Sequence, residues 1–315
     1  MERSEVRRVV TGHDDGRATF VSDGPPAAVV SLPGATVWRL LHLDGLPGSA
    51  DAGDPGPGAP APLPPGGISV QVMQLDLRLP DMWPDGGGWR QAETLDLTIV
   101  IDGTLAVGLE DGSEPVLRPG DTLVQRGTRH RMRATYGPVR ALVAHLAPGE
   151  GSPMPLGLRP GTDGASAVRR VVTGTGPDGR STVVHDGEPA FVFRADGRAV
   201  LTDVWQTGGP VVAVDQGGDV DGPWQVEPVA GGTSVGIVEL PPGDYSAEAN
   251  WHTTATIDVD VILSGGVELH LPGEPPALLA PGDVVVQRGT HHRWQPVGDE
   301  PLRMAALMIS VRSNP

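Results

Sequence analysis

Short apolar runs separated by turn residues recur along the whole chain. In the second half these runs are RSTVVHD, AFVFRA, SVGIVEL, IDVDVIL, VELHL and DVVVQ, and DG, PG and GG pairs interrupt them. Runs of this length that are rich in β-branched residues, whether alternating or continuous, are typical of strands. The pattern therefore predicts an all-β fold of the barrel or sandwich type.

The sequence also repeats itself once. VRRVVTG occurs first at residues 6–12 and again in the second half, and LRPGDTLVQRGTRHRM at 117–132 matches LAPGDVVVQRGTHHRW at 279–294. Matched residues such as Gly103 and Gly265 lie 162 positions apart. This period is too long for a solenoid, so the repeat indicates one domain that has been duplicated.

The boundary between the two copies is predicted in the Gly- and Pro-rich stretch 147–164, which has the composition of a linker. We expect an N-terminal domain at residues 1–155 and a C-terminal domain at 156–315, each of ordinary domain size. The stretches 44–66 and 208–232 lack periodicity and are rich in Pro, Gly and Asp. They are predicted to be long loops, serving as lids, as interface arms or simply as mobile connections.

Composition narrows the chemistry that the chain can perform. With 45 Gly and 33 Pro among 315 residues, a mainly helical protein is disfavoured. The sequence contains no Cys and no Lys, which excludes disulfides, thiol nucleophiles, zinc–thiolate sites and Schiff-base lysines. Any bound metal would be held by His, carboxylate or water.

The chain is strongly acidic, and its net charge of −16 repels phosphate backbones and anionic lipid surfaces. We therefore expect neither a nucleic-acid partner nor a membrane partner. The charged N-terminus lacks the apolar run of a secretory signal, and no run reaches the ~18 apolar residues that cross a bilayer. These features predict a cytoplasmic protein.

Candidate chemistry concentrates in the second half, in NWHTTATIDVDVIL. Alternate side chains of a strand share a face, so the pattern predicts one polar row made of His252, Thr254, Thr256 and Asp258. Such a row suits the interior of a small barrel with a polar cavity. His292 follows a PGD turn on a later strand, and we expect the repeated hairpins to bring it beside His252. Two imidazoles and a carboxylate suit Fe, Mn, Ni or Zn with open coordination positions.

These motifs resemble those of cupin domains. The His-x-Thr-x-Thr-x-Asp strand, the Gly, the PGD turn and the VVQRGTxHxW segment are similar to the pattern of small bacterial and fungal cupins. The resemblance covers most of residues 168–311 and, more weakly, 6–146, so the whole chain resembles a bicupin. It implies two tandem cupin barrels of the double-stranded β-helix, or jelly-roll, type. Because cupins include many enzyme classes as well as binding and storage proteins, the fold selects no reaction.

The resemblance also implies an incomplete metal site in the C-terminal barrel. His252 matches the first ligand of the cupin metal motif, His292 matches the last, and Asp258 stands at the position of the acid. Thr254 occupies the place of the second His and cannot replace an imidazole. We expect a divalent metal (Fe, Zn, Mn or Ni) on His252 and His292, with Asp258 as third ligand or as the acceptor that orients one of the imidazoles. The alternative is a cavity in which these side chains only hydrogen-bond to each other.

The first half has lost most of this set. Arg90 stands opposite His252 and Asp96 opposite Asp258, whereas His130 is retained. An Arg at a ligand position repels a divalent cation, so we expect no metal in the N-terminal barrel. That barrel is predicted to be structural. Alternatively, Arg90 and His130 bind an anionic group, since a guanidinium pairs well with a carboxylate.

For other side chains near the motif, the sequence gives weaker indications of a role. Thr254 and Thr256 are predicted to contact substrate. Trp294 shares the strand parity of His292 and is also predicted to contact substrate; the alternative is that it only packs in the core. Three residues are expected to face away from the barrel interior: Trp251, His270 and His291.

Tyr245 and Glu248 precede the motif strand and are candidates for an acid or a base at the cavity mouth. Ser234 lies in GTSVG, which fits the letters of a nucleophile elbow. That motif requires a strand, a sharp turn and a helix, whereas Ser234 enters a predicted strand, so we interpret the match as false.

Two functional classes follow. The first is a small-molecule enzyme whose C-terminal barrel uses His252, His292 and Asp258 on a polyketide-like, aromatic or carboxylic acid metabolite. Cupins of this kind resemble cyclases, dehydratases, decarboxylases and oxygenases. The second class is a non-catalytic bicupin that binds a ligand or is purely structural, without metal. Two fused barrels satisfy the pairing that single cupins obtain by dimerising, so a monomer is expected beside the alternative of a homodimer.

Overall fold

Strands and turns account for the part of the chain that the structure describes. The computed structural model describes residues 5–50, 54, 62–76, 88–152, 156–159, 161, 166–195, 199–219 and 225–311. Within these ranges there are 23 strands and one 3₁₀ turn, at Glu248–Asn250. The predicted linker 147–164 and the predicted loops 44–66 and 208–232 lie partly outside them. None of the described segments is a helix long and apolar enough to span a bilayer.

The strands follow the alternating runs of the sequence. The first fourteen are β1 Arg8–Asp14, β2 Arg17–Gly24, β3 Val29–Leu32, β4 Ala35–Leu43, β5 Ile68–Leu75, β6 Arg90–Gln91, β7 Leu95–Asp102, β8 Leu105–Leu109, β9 Val116–Leu117, β10 Thr122–Arg126, β11 Arg129–Ala134, β12 Val139–Leu146, β13 Arg170–Thr175 and β14 Ser181–Gly187. The remaining nine are β15 Phe191–Ala195, β16 Ala199–Gln206, β17 Thr233–Leu240, β18 Thr256–Ser264, β19 Gly266–His270, β20 Ala277–Leu279, β21 Val284–Arg288, β22 Arg293–Val297 and β23 Leu302–Ser310.

Two eight-stranded sheets form the centre of the molecule. Their strand orders are β14-β13-β10-β7-β12-β5-β4-β3 and β15-β16-β17-β23-β18-β21-β1-β2. The four-stranded sheet β6-β11-β8-β9 completes the first as the N-terminal barrel, and the three-stranded sheet β20-β19-β22 completes the second as the C-terminal barrel. The predicted all-β fold of two tandem jelly-roll barrels is confirmed.

The two barrels exchange their first hairpins. β1 pairs in parallel with β21, and β13 pairs in parallel with β10. The N-terminal barrel is therefore built from one stretch, 29–187, whereas the C-terminal barrel combines 8–24 with 191–310. The predicted division into 1–155 and 156–315 describes the sequence repeat, but the sheets do not divide there. The physical reason is that main-chain hydrogen bonds tie each hairpin to the sheet of the other repeat.

The apolar core lies mainly between the two large sheets. Leu97 and Ile99 of β7 belong to one cluster with Val259 and Val261 of β18, so the odd-numbered side chains of both strands face the opposite barrel. Two smaller clusters fill the barrels themselves. Even-numbered side chains of β7 and β18 consequently point into their own barrel, as the alternation of the sequence predicts for Asp258.

Arginines on the exchanged strands form ion pairs with the long loops. Arg170 of β13 is fully buried and forms an ion pair with Asp219 at 2.7 Å. Its counterpart in the repeat, Arg8 of β1, pairs with Asp54, which also lies 3.1 Å from Arg288. A buried guanidinium is strongly unfavourable without a partner. Each predicted loop therefore supplies the carboxylate that neutralises one of these arginines.

Candidate functional site

The C-terminal barrel places His252 and His292 side by side. Each backbone N–H donates to the carbonyl of the other residue, at 3.0 and 2.9 Å, which makes an isolated antiparallel bridge. The ring centroids are 4.2 Å apart, and the ring planes are tilted by 57°. His252 is exposed, whereas His292 is buried. A small molecule at the barrel opening therefore meets His252 first.

Backbone carbonyls determine which nitrogen of each ring is protonated. Nδ1 of His252 lies 3.0 Å from the Asn250 carbonyl oxygen, and Nδ1 of His292 lies 2.8 Å from that of Thr290. Because a carbonyl oxygen only accepts, each Nδ1 carries a proton and each neutral ring presents an unprotonated Nε2. Burial lowers the pKa of His292 to about 3, and the neighbouring charges of His252 and His291 contribute. His292 thus stays neutral at physiological pH.

Asp258 is buried inside the same barrel, on the face of β18 that also carries Thr256 and Asp260. It accepts a hydrogen bond from the Thr254 hydroxyl at 3.1 Å. Burial raises the pKa of Asp258 to about 7, and the hydroxyls of Thr256 and Thr254 offset only part of the rise. Burial also raises the pKa of Asp260, and the charge of Asp258 adds to it. These two carboxyls retain protons at a pH at which surface aspartates have lost theirs.

The three residues expected to bind metal do not assemble into one centre. Among the described residues, no group of three or more His, Asp or Glu side chains is arranged to hold a metal ion. Asp258 does not join the two imidazoles in such a group, but its hydrogen bond from Thr254 occupies only Oδ2, so its role as a third ligand stays a prediction. His252 and His292 are a two-imidazole donor set, which falls short of the three protein ligands of a typical catalytic zinc site.

Trp294 fills the interior of the C-terminal barrel beside these residues. It is buried in an apolar cluster with Val285 and Met304 and meets the His292 ring edge-on, with centroids 5.7 Å apart. A cavity of about 60 Å³ in this barrel is lined mainly by β16, β17 and β23, and neither His252 nor His292 contributes to it. Trp294 is thus a core residue that also supports His292.

The residues expected to face away from the interior lie at its edges. His291 is exposed and stacks on Trp251, with ring centroids 5.3 Å apart. His270 is hydrogen-bonded to Glu268 at 2.9 Å on the small sheet. Neither histidine joins the His252 pair.

The residues considered as acid, base or nucleophile precede the His252–His292 pair in the sequence and have the following environments. Tyr245 is buried and donates its hydroxyl to the Pro241 carbonyl oxygen at 3.1 Å. Glu248 is exposed in the 3₁₀ turn. Ser234 lies within β17, with no strand–turn–helix around it, which agrees with its interpretation as a false match.

The N-terminal barrel, expected to be structural, contains a cavity of about 470 Å³. Sites for small molecules have volumes of this order. The polar side chains on its wall include Gln71, Arg90, Asp96, Gln125, His130 and His145. The apolar side chains include Val37, Met73, Met132 and Val143. One exchange between the repeats accounts for part of this space, because Met132 stands where the C-terminal barrel has Trp294.

Arg90 and His130, the predicted anion-binding pair, are cross-strand partners on β6 and β11. Nδ1 of His130 lies 2.9 Å from the Thr128 carbonyl oxygen, so this ring also presents an unprotonated Nε2. Burial lowers the pKa of His130, and the charge of Arg90 lowers it further. His130 is therefore a hydrogen-bond acceptor, and the positive charge of the pair belongs to Arg90.

An Asp–His pair that sequence reasoning missed faces the same cavity. Nδ1 of His145 lies 2.8 Å from Oδ1 of Asp96, and its Nε2 lies 3.2 Å from the Gln71 amide nitrogen. Burial alone lowers the pKa of His145, but the charge of Asp96 and its hydrogen bond outweigh this and raise the pKa. The alternation of VRALVAHL puts His145 on the face of Val143. Only the pairing of β12 with β7 shows that Asp96 lies opposite.

A family model, solved structures and curated proteins all match this chain in part. Residues 236–310 match the family model described as a cupin domain. Among solved structures, protein Ylba from E. coli is 12% identical, with 91% of this chain and 89% of that chain covered and a TM-score of 0.48. A cupin 2 conserved barrel domain protein from Leptotrichia buccalis is 10% identical, covers 89% and 92%, and has a TM-score of 0.45. The fold assignment rests on the strand order and not on these distant likenesses.

Curated relatives match over shorter stretches. The oryzines biosynthesis cluster protein J of Aspergillus oryzae is 42% identical over 67 residues, which are 21% of this chain and 36% of that protein. The cupin-domain-containing oxidoreductase fogC of Aspergillus ruber is 26% identical over 153 residues, 46% of this chain and 74% of that protein. For the first relatives, the chain spans about a third of their length.

Proposed function

We propose that this chain, whose residues 236–310 match the cupin domain model, is a cupin enzyme of secondary metabolism. In this proposal, a small molecule is converted at the His252–His292 pair of the C-terminal barrel. The observation that carries it is the geometry of the pair: two imidazoles in contact, each with Nδ1 at hydrogen-bond distance from a backbone carbonyl, which leaves Nε2 for a substrate. In the other barrel Arg90 replaces the first imidazole, so only one copy holds the pair.

The names of the relatives support the metabolic setting. One group is named for the biosynthesis clusters of oryzines and phomopsin, and another consists of cupin-domain-containing oxidoreductases. The substrate class that we propose is a polyketide-like, aromatic or carboxylic acid metabolite.

Proton transfer is the chemistry that these residues perform best. His252 accepts a proton from the substrate on Nε2, while its Nδ1–H remains donated to the Asn250 carbonyl and stabilises the imidazolium. His292, whose pKa is about 3, does not compete for the proton and instead accepts a hydrogen bond from a substrate hydroxyl. Thr254, bonded to Asp258, and Trp294 support the pair from within the barrel. Isomerisation, dehydration and cyclisation all contain such a step.

Deuterium exchange tests this proposal. The full-length protein is incubated in D₂O with aromatic 2-oxo acids such as phenylpyruvate, and loss of the C3 proton signal is followed by NMR. We expect His252→Gln to lower the exchange rate at least ~100-fold, the usual effect of losing a general base. His270→Gln makes the same substitution on an imidazole that is bonded to Glu268, and it is expected to leave the rate unchanged.

Metal content provides a second measurement on the same samples. Because an imidazole base needs no metal, dialysis against a chelator is expected to leave the exchange rate unaltered. A rate that falls with the chelator and returns with one added divalent metal would contradict the acid–base version. Exchange that is equal in wild type and His252→Gln would contradict the role of His252.

The second candidate is a bicupin that binds a ligand without converting it. It is favoured by one observation, namely that the cavity of about 470 Å³ lies in the barrel that lacks the imidazole pair. This candidate predicts ligand binding with no exchange above the uncatalysed rate for any probe.

A further inference from the structure

The cavity of the N-terminal barrel has a polar side and an apolar side. Arg90, His130 and the Asp96–His145 pair lie on the polar side. Val37, Met73, Met132 and Val143 form most of the apolar side. A space of about 470 Å³ with this division fits a molecule with an apolar body and a polar end.

Arg90 is the cation of the cavity wall that lies beside His130, whereas Asp76 and Asp96 are its acidic side chains. Oδ1 of the Asp96 carboxylate is already engaged by Nδ1 of His145 at 2.8 Å and by the Thr94 hydroxyl at 2.6 Å. Arg133, at the rim, is bound to Glu114 through two hydrogen bonds of 2.6 and 3.2 Å. Arg90 lies on the cavity wall and is open to solvent. A guanidinium carries N–H donors on more than one edge, so Arg90 can bind a carboxylate in a planar fork while it keeps another contact.

His130 adds a requirement for a donor group beside the anion. Its Nδ1 proton is committed to the Thr128 carbonyl, so its Nε2 accepts a hydrogen bond. Arg90 and His130 are cross-strand partners, and side chains at such positions lie within about 5 Å of each other at Cβ. A ligand that contacts both therefore carries a hydroxyl next to its carboxylate.

The apolar side indicates what kind of body the ligand has. Met73 and Met132 both line it, and thioethers make favourable contacts with aromatic rings. The C-terminal barrel fills the position of Met132 with the indole of Trp294. A flat ring system placed against Met132 would occupy the space that this indole takes in the other barrel.

We propose that the N-terminal barrel binds an aromatic hydroxy acid, with its carboxylate on Arg90, its hydroxyl on Nε2 of His130 and its ring against Met73 and Met132. The inference concerns binding alone and stands whether or not the C-terminal barrel performs the chemistry proposed above. It replaces the expectation of a structural barrel with a binding site that contains no metal motif.

The experiment is a fluorescence titration of the full-length protein with 3-hydroxy-2-naphthoate, which carries the two polar groups on adjacent carbons of a fused ring. Two analogues remove one group each: 2-naphthoate lacks the hydroxyl, and methyl 3-hydroxy-2-naphthoate lacks the charge. We expect saturable binding of the acid at one site per chain and at least tenfold weaker binding of the ester.

Three variants locate the site. Arg90→Gln is expected to weaken binding about 10- to 100-fold, the usual effect of a charge-assisted hydrogen bond. Arg131→Gln is the matched control, because Arg131 lies on β11 next to His130 but points outward over Trp89. Met132→Trp installs the residue that fills the other barrel and is expected to abolish binding. Circular dichroism and thermal unfolding confirm that each variant is folded.

Each binding result either supports the proposed site or overturns it. Loss of affinity in Arg90→Gln and Met132→Trp, with wild-type affinity in Arg131→Gln, supports the proposal. Equal affinity for the acid and its ester, or equal loss in Arg90→Gln and Arg131→Gln, overturns the carboxylate contact. No saturable binding by the folded wild-type protein, or full binding by folded Met132→Trp, overturns the site itself. Failure of the exchange assay leaves each of these readouts intact.

Discussion

Buried carboxyl groups are the residues whose chemistry this molecule changes most. Asp203, on β16 of the C-terminal barrel, is buried and accepts a hydrogen bond from Gln206 at 2.9 Å. Burial raises the pKa of Asp203 to about 7, although the Gln206 hydrogen bond opposes the rise. The folded state therefore holds a proton that the unfolded chain releases near the ordinary carboxyl pKa. Stability contributed by this group is present at low pH and is lost as the pH rises towards 7.

Asp203→Asn is predicted to remove this pH dependence. Between about pH 4 and pH 7, the free energy of unfolding of the wild type should fall relative to the variant by about 1.4 kcal/mol per pH unit. Chemical unfolding at pH 4.5, 5.5, 6.5 and 7.5 measures the difference between the two curves. Asp299→Asn, on an exposed turn residue, is the control and should run parallel to the wild type. Parallel curves for Asp203→Asn would mean that Asp203 is ionised in the folded protein.

At the scale of elements, the turns that join long strands to short ones depend on close backbone contact. Gly265 connects β18 to β19 with a φ of +71°, and a Cβ there would lie 2.6 Å from the Pro301 carbonyl oxygen. Gly103 occupies the same place in the first repeat, again with a positive φ. Both halves therefore use Gly where one strand leaves the large sheet for the small one, because only Gly allows this approach and this conformation.

Gly265→Ala is predicted to destabilise the protein more than Gly273→Ala. Gly273 has a φ of +81° but nothing within 4 Å of a Cβ, so its substitution carries only the left-handed strain of ~1 kcal/mol. Gly265→Ala adds a backbone overlap, and we expect a further loss of about 1–3 kcal/mol. Urea unfolding of the two variants measures the difference. Equal losses would show that the turn relaxes without cost.

At the scale of the whole molecule, the hairpin exchange makes the two barrels one folding unit. The N-terminal barrel takes β13 and β14 from the second repeat, and the C-terminal barrel takes β1 and β2 from the first. The largest apolar cluster also lies between the two sheets and collects side chains from both. Neither repeat can complete its sheet or cover its apolar face alone.

Thermal unfolding is therefore predicted to show one cooperative transition for the full chain. Fragments 1–155 and 156–315 are expected to be poorly folded when expressed separately and to co-purify as a folded complex when expressed together. Circular dichroism and co-purification measure these outcomes. A pair split after residue 190 keeps the N-terminal barrel whole but separates β1 and β2 from the C-terminal barrel, and it serves as the comparison. Two separate transitions, or a stably folded fragment 1–155, would contradict the exchange.

The sequence by itself determined the all-β class, the duplication, the two barrels and the presence of His252, Asp258 and His292 in one copy, because alternation and repeats are local properties. The tertiary structure decided what depends on packing between distant strands. Pairing of β12 with β7 brought His145 to Asp96, and folding buried Asp258 beside Thr254, whose hydroxyl donates a hydrogen bond to Oδ2. Main-chain pairing across the repeats placed the boundary between the barrels elsewhere than the boundary between the repeats. The smaller volume of Met132, compared with Trp294, left room for a cavity in the barrel expected to be structural.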